Sequence, residues 1–323
     1  MKAIQLKEYG GPGVLKLVEL DIPEPRGHEV LIQIHSIGVN YADTARREGQ
    51  YVVKTPLPFI PGAEVAGVVK AAGEKAGLVP GTRVVALIES GGYSEYAIAD
   101  SRGLIPIPEG LNFHEAAALP LQGLSAYHIL KTMGRLQKGE TVLVHAAAGG
   151  VGTLAVQLAR IFGAGKIIAT ASSEQKLGLA RDLGADVLVD YTESGWEEKV
   201  MEATGGKGAD LALEMAGGEV FAKTMKCLAP FGRVVVYGVA SGEQYRMYPS
   251  SLMARNQSVI GFFLPQIMKM PELLHTSMTE LLGYLAEGKL KLTVGGIYPL
   301  EEASFVHEQM QGRKTSGKLI LTP

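Results

Sequence analysis

The run Ala146-Ala147-Ala148-Gly149-Gly150-Val151-Gly152 follows a β-branched and apolar stretch, Thr141 to His145, and opens a segment with the apolar spacing of a helix. Lacking side chains, Gly149 and Gly150 allow a phosphate to approach the backbone. Gly152 lets the helix pack on its strand, and the helix N-terminus at Val151 offers amide donors to a pyrophosphate. Tight strand–helix packing would choose the same small residues. Four βα repeats in the same stretch of chain favour a dinucleotide.

The identity of that dinucleotide turns on a missing acid. An Asp or Glu about 20 residues on would accept hydrogen bonds from the adenosine ribose. Here the stretch reads Ala169-Thr170-Ala171-Ser172-Ser173, with no acid before Glu174. A carboxylate would repel a 2′-phosphate, whereas Ser172, Ser173 and Lys176 would bind one, so NADPH is expected over NADH. One charge-assisted hydrogen bond of about 1.5–3 kcal/mol shifts such a preference roughly ten- to a hundredfold. Lys176 is either that ligand or a solvated helix residue. Tyr191, at the end of the third strand, lies against the same adenosine phosphate or simply lines the rim.

The elements that must hold this loop alternate strand and helix: TVLVHAAAGG then GTLAVQLARIFGA, KIIATAS then SEQKLGLARDLGA, DVLVDY then WEEKVMEATGG, ADLALEMAG then EVFAKTMKCLAP, and finally GRVVVYGVA. Consecutive βα units with apolar strands imply a parallel sheet covered on both faces. From Met1 to about Leu119, short apolar stretches broken by Gly and Pro, such as EVLIQIHSIGV (29–39) and EVAGVVKAAG (64–73), predict a small all-β unit. After SVIGFFL (258–264) the apolar spacing of 271–288 predicts a helix, and the last strands are expected to close the first sheet. The expected class is α/β, a doubly wound parallel sheet inserted in a β-rich domain, with divisions at 1–123, 124–262 and 263–323.

Composition narrows the classes further. At 323 residues and 46% hydrophobic, the chain is long enough for two cored domains, and disorder is excluded. Lys+Arg 31 against Asp+Glu 33 leaves no basic excess for nucleic acid or an anionic membrane. The single Cys227 can form neither an internal disulfide nor a thiolate zinc cage. No run of 18 apolar residues occurs and the N-terminus carries no apolar signal stretch, so a cytoplasmic protein is expected. His35, His128 and His145 lack metal-like spacing and read as structural.

Together, GVNYADTARREGQY (38–51), PFIPGAEVAGVV (58–69), LPLQGLSAYHIL (119–130), VHAAAGGVGTLAVQLAR (144–160), LGADVLVDY (183–191), RNQSVIGFFL (255–264) and GRKTSGKLIL (312–321) cover the length of the chain. In them it resembles the medium-chain dehydrogenase/reductase superfamily, and within it the zinc-independent quinone oxidoreductase (zeta-crystallin-like) family. The resemblance implies a GroES-like catalytic domain closed by the C-terminal segment, a Rossmann domain for the nucleotide, and an active site in the cleft between them. Zinc-dependent relatives place a cysteine at Asn40 and a His-Glu pair at Ala63-Glu64. The four-cysteine lobe is also missing, with Gly91-Gly92-Tyr93 in its place. A metal-free site is therefore expected.

Without a Lewis acid, alcohol dehydrogenation is disfavoured, and quinones or conjugated enones become the expected hydride acceptors. The resemblance makes Asn40 a donor to a carbonyl oxygen or to the nicotinamide ribose, against the alternative of a turn-stabilising asparagine. Tyr51 would line the pocket, with Tyr41 and Asp43 as lesser candidates. Ala45 stands where many relatives carry another tyrosine. Further implied cofactor contacts are Ser125, Gly238, Val239, Phe262, Phe263, Arg313 and Lys318. SVIGFFL also suits a buried or intersubunit strand, and a homodimer paired along the outer strands of the nucleotide sheets is expected. Two rival readings stand beside this one. An enoyl-thioester reductase would use Arg46, Arg47 and Lys54 at the site mouth, and a non-enzymatic NADPH-binding protein would have no acceptor at all.

Overall fold

A computed structural model describes residues 1–323, which form two compact units: Met1–Leu121 with Thr293–Pro323, and Gln122–Leu292. In the second unit the apolar runs become six parallel strands. Their spatial order is Val187–Asp190, Lys166–Ala171, Thr141–Val144, Ala209–Glu214, Leu228–Val236 and Ser258–Gly261. Val142, Leu143, Val144, Ile167 and Ile168 are buried, as a sheet covered on both faces requires. The strand order reverses at Thr141–Val144, so the glycine loop leaves the sheet at its topological switch point.

In the first unit a seven-stranded sheet runs Val294–Pro299, Lys318–Thr322, Glu29–Val39, Glu64–Ala72, Arg83–Leu87 and Ile105–Pro106, with Tyr96–Asp100 also on Glu29–Val39. The C-terminal strand pairs antiparallel with the end of Glu29–Val39, Ile320 opposite Gly38 and Leu319 opposite Val39. The tail thus closes the first sheet. No helix is long and apolar enough to cross a membrane.

The unit boundary differs from the expected one. The second unit begins at Gln122 and continues to Leu292, some way past 262. The helix Pro271–Ala286 belongs to it: Ser277 meets His128 at 3.1 Å, and Gln157 exchanges hydrogen bonds of 3.0 and 2.8 Å with the Lys291 backbone. Apolar periodicity predicts a helix but does not say which body covers its buried face.

The buried histidines have partners within the fold. His145 accepts from Thr170 at 2.9 Å and donates to Thr224 at 2.8 Å, since the Thr224 proton is committed to Val220 O. His128 sits between Thr132 and Ser277. His307 accepts from the Arg47 guanidinium at 3.2 Å and donates to Tyr93 at 2.9 Å. The exposed His35 stacks on Phe113 at 4.5 Å. Burial lowers His145 to about 4. Burial aided by Lys131 takes His128 to about 4, and burial aided by Arg47 takes His307 to about 3.

An unfolded imidazole titrates near pH ~6.5, so as pH falls the unfolded chain takes protons that the native chain refuses. Each of these histidines should remove about 1.4 kcal/mol per pH unit between pH ~6.5 and its folded value. Urea unfolding measured at stepped pH should show stability falling steeply below pH ~6.5, with a shallower fall in His145→Gln. A stability independent of pH down to ~4 would contradict this.

Candidate functional site

In the second unit Gly149 precedes the helix Gly150–Ile161 in an extended conformation and offers no side-chain cap. Thr153 N is the first amide of this turn bonded back to Gly149 O, at 2.9 Å. The amides of Gly150, Val151 and Gly152 are therefore the helix-end donors available to an anion. A Cβ on Gly152 would lie 2.2 Å from Ala146 O and 2.7 Å from the Ala147 Cα, so the helix could not pack on the loop with any larger residue there.

The strand Lys166–Ala171 ends at Ser172 and Ser173, and Ser173 caps the helix Glu174–Asp182 by accepting from Lys176 N at 3.4 Å. Tyr191 N bonds to Ala171 O at 3.2 Å, which brings the Tyr191 backbone to the same edge. Ser172, Ser173, Lys176 and Tyr191 are all half-buried, and the first acid, Glu174, is exposed. Gly238 and Val239 follow Leu228–Val236, and Phe262 N bonds to Val236 O at 2.9 Å, with Phe263 next in the chain. Because the strands are parallel, these residues share the C-terminal edge with the glycine loop. Ser125 is buried in the helix Pro120–His128 of the same unit.

One carboxylate at this edge escaped sequence reasoning. Glu214 closes the strand Ala209–Glu214, fully buried. Its Oε1 accepts from Ala216 N at 2.7 Å and Gly217 N at 2.9 Å, while Oε2 has no partner. Burial raises its pKa against those two amides. The available signal was a lone acid ending an otherwise apolar strand.

In the first unit Asn40 follows the strand Glu29–Val39 and opens the helix Tyr41–Arg47, with Asp43 Oδ2 accepting from Asn40 N at 2.9 Å. Asp43 is buried and also accepts from Gly62 N and the Tyr93 hydroxyl, both at 3.3 Å. Burial raises the Asp43 carboxyl and the Asn40 and Gly62 amides oppose it. The Asn40 side chain, 3% exposed, donates from Nδ2 to Gly38 O at 3.0 Å, and its Oδ1 accepts from Lys318 Nζ at 2.8 Å. Lys318 Nζ also meets Glu64 Oε2 at 2.6 Å, and Glu64 Oε1 accepts from Leu121 N at 2.6 Å. The lysine and glutamate side chains are 1% and 0% exposed.

The resemblance implied a cofactor contact at Lys318, but its ammonium is buried and committed to Asn40 and Glu64. Arg313, by contrast, is exposed. Arg47 drops out of the basic trio, because it is fully buried and bound to Gly10 O, Glu48, Gln311 and His307. Arg46 lies over the Tyr51 ring at 4.4 Å and the Phe59 ring at 5.4 Å, and burial raises the Tyr51 hydroxyl.

The positions that correspond to a catalytic zinc do not fit a metal. Ala63 has no donor atom, the Asn40 oxygen faces an ammonium, and both Glu64 oxygens are committed. No group of three or more His, Cys, Asp or Glu residues elsewhere in the chain could hold a metal ion.

Comparison with known proteins places this arrangement. A model of the alcohol dehydrogenase GroES-like domain matches residues 26–109, and one of the zinc-binding dehydrogenases matches residues 150–279. The chain is 37% identical to mouse quinone oxidoreductase, over 99% of its own length and 97% of the mouse protein. With a Pseudomonas aeruginosa quinone oxidoreductase it shares 34% identity over 100% and 99%. Among solved structures, the Escherichia coli quinone oxidoreductase complexed with NADPH superposes with a TM-score of 0.95 at 32% identity, each chain fully covered. The quinone oxidoreductase of Thermus thermophilus, solved alone and with NADPH, gives 0.88 at 38%, again with both chains fully covered.

The chain belongs to the quinone oxidoreductase family. Membership makes it an oxidoreductase of the medium-chain dehydrogenase/reductase type, with the GroES-like match inside the first unit and the zinc-binding dehydrogenase match inside the second. In this chain Lys318, Asn40 and Glu64 stand together in the interior of the first unit.

Proposed function

We propose that the chain is an NADPH-dependent reductase of quinones or α,β-unsaturated carbonyls that works without a metal, in a reducing, cytoplasmic compartment where its one cysteine stays a thiol. The observation that supports this reading is the commitment of Asn40 and Glu64 to the buried Lys318 ammonium, which disfavours a Lewis acid held by those two side chains. An alcohol substrate loses its proton less easily without such an acid, whereas a quinone or enone accepts hydride directly. NADPH, when bound, supplies that hydride, and with one proton from water the pair of electrons reduces the acceptor while the nucleotide leaves as NADP⁺.

The chain's own residues bind and orient. The Gly150, Val151 and Gly152 amides suit a pyrophosphate, and Ser172, Ser173 and Lys176, with no carboxylate among them, suit a 2′-phosphate. Gly238, Val239, Phe262 and Phe263 line the same sheet edge, where a nicotinamide would be held, and Ser125 and Arg313 are further cofactor contacts on this reading. Tyr51 offers a face for a flat acceptor. The enoyl-thioester alternative keeps Arg46 and the exposed Lys54 for an anionic carrier, but loses Arg47 to the interior.

Following NADPH absorbance with 1,4-benzoquinone, a simple enone and crotonyl-CoA separates the readings. Turnover of the first two is expected. Turnover of crotonyl-CoA alone would mark an enoyl-thioester reductase, and inertness with all three a nucleotide-binding protein. In Lys176→Ala the dissociation constant of NADPH should rise roughly ten- to a hundredfold while that of NADH barely moves. An equal change for both would show that this lysine does not read the 2′-phosphate.

The edge strand Ser258–Gly261, with Val259 37% exposed, supports a second copy as cover in a homodimer. Light scattering coupled to size exclusion should return twice the 34.3 kDa chain mass. A monomer at micromolar concentration would refute the dimer.

A further inference from the structure

Resting on the reductase reading above, we infer that Lys318 is a positioning residue. Its buried ammonium turns the Asn40 amide so that a single uncommitted N–H remains, and that N–H donates to the acceptor oxygen on which negative charge collects during hydride transfer.

The orientation follows from donor and acceptor chemistry. An ammonium has three protons and no lone pair, so the Asn40 atom 2.8 Å from Lys318 Nζ must be the carbonyl oxygen. Nδ2 then carries the two amide protons. One goes to Gly38 O at 3.0 Å, and the structure gives the other no partner. Of the two amide protons, one N–H is thus left to donate to a reactant, while Oδ1 is turned toward Lys318.

Each neighbour of this amide is itself held. Asn40 N is bonded to Asp43 Oδ2, and Asp43 is fixed by Gly62 N and Tyr93. His307 donates to Tyr93 and is oriented by Arg47, so the chain of bonds runs in one direction toward Asp43. On the other side Glu64 anchors Lys318 at 2.6 Å and is anchored by Leu121 N. Gly38 leaves the room required: a Cβ there would come within 2.6 Å of both Glu64 Oε2 and Lys318 Cε.

Stability alone is a poor reason to keep this arrangement. A buried ion pair is commonly matched or bettered by apolar residues of similar volume. A donor aimed at developing oxyanion charge from a dry, preorganised setting is a different matter, since loss of one such donor costs on the order of 10²–10³ in rate. The Lys318 contact to Oδ1 also polarises the amide, which strengthens the opposite N–H as a donor.

The test uses Asn40→Asp, Lys318→Met and Lys318→Arg in the full chain. Asn40→Asp keeps the contact to Lys318 and replaces the donor by an acceptor. With 1,4-benzoquinone its kcat should fall on the order of 10²-fold. Its dissociation constant for NADPH, read by fluorescence titration, should change by less than about threefold. Lys318→Met should lose kcat similarly, and Lys318→Arg, which can still donate to Oδ1, should recover part of the loss.

A kcat within about threefold of wild type in Asn40→Asp, or in a folded Lys318→Met, overturns the inference. So does a loss of NADPH affinity in Asn40→Asp that matches its loss of kcat, for the donor would then serve the nucleotide. The orientation is read without turnover by 15N-asparagine labelling, with the Asn40 amide pair identified by its disappearance in Asn40→Asp. The two amide-proton chemical shifts of wild type should be kept in Lys318→Arg and displaced in Lys318→Met, and the same two shifts unchanged in a folded Lys318→Met would overturn the role of the lysine. A wild type that oxidises NADPH with none of the three acceptors defeats the reductase reading instead, and the labelled spectra still decide the orientation.

Discussion

The first unit is organised around an ion pair in the dry interior, Lys318 Nζ to Glu64 Oε2 at 2.6 Å. Two charges withdrawn from water cost several kcal/mol each, and their attraction offsets this only when geometry is good and the remaining valences are satisfied. Here the Asn40 oxygen takes a second ammonium proton and the Leu121 amide satisfies the second carboxylate oxygen. The pair brings together the end of Glu29–Val39, the start of Glu64–Ala72 and the start of Lys318–Thr322, strands far apart in sequence. Removing either partner strands a buried charge, so these three segments hold one another in place. The pairing of Ile320 with Gly38 and the absence of a side chain at Gly38 are conditions for it.

The second unit obeys a different constraint, the exposed donors of one helix end. Its strands are mainly apolar, and polar side chains within them, such as Thr170 and Arg233, are bonded inside the fold. Binding capacity therefore collects at the C-terminal edge, where chain reversals expose backbone amides. The lone buried acid at this edge, Glu214, turns one oxygen onto the backbone of its own loop and is not placed as the ribose acid of the usual pattern would be, after the second strand. The serine pair at that place is compatible with either a hydroxyl or a phosphate, and on the proposed reading Lys176 tilts the balance toward phosphate.

Much of this was legible in the residues alone. The βα rhythm from Thr141 onward required a parallel sheet, because apolar strands of this length need cover on both faces, and the glycines at 149, 150 and 152 had to stand at a strand–helix turn. Strand breaks at Gly and Pro marked the first unit. Other features depended on tertiary contact. Lys318 opens a short apolar strand, where a lysine reads as a solvated first residue, and its burial becomes visible only when Glu64 arrives from a distant strand. Arg47 lies next to Arg46 in a helix turn, yet one is buried against His307 and the other rests on Tyr51, a difference of helix face that short-range spacing of two like residues does not reveal. The end of the second unit at Leu292 likewise depended on which body covered the helix Pro271–Ala286.

An ammonium and a metal ion are both cations, but they direct chemistry differently. A metal ion in an open site takes oxygen into its own coordination shell and can pull the pKa of a bound water from roughly 15.7 to about 7, which makes deprotonation of a hydroxyl accessible. Lys318 offers no open coordination site, and on the reading proposed above it acts on a reactant through the Asn40 amide, whose N–H can donate but cannot take up a proton. Such a group stabilises an oxygen that becomes negative as hydride arrives, yet does little to generate an alkoxide from a neutral alcohol. With a cation of this kind in place of an open metal site, the proposed chemistry is biased toward reduction of preformed carbonyls, and the bias comes from the protonation chemistry of two side chains.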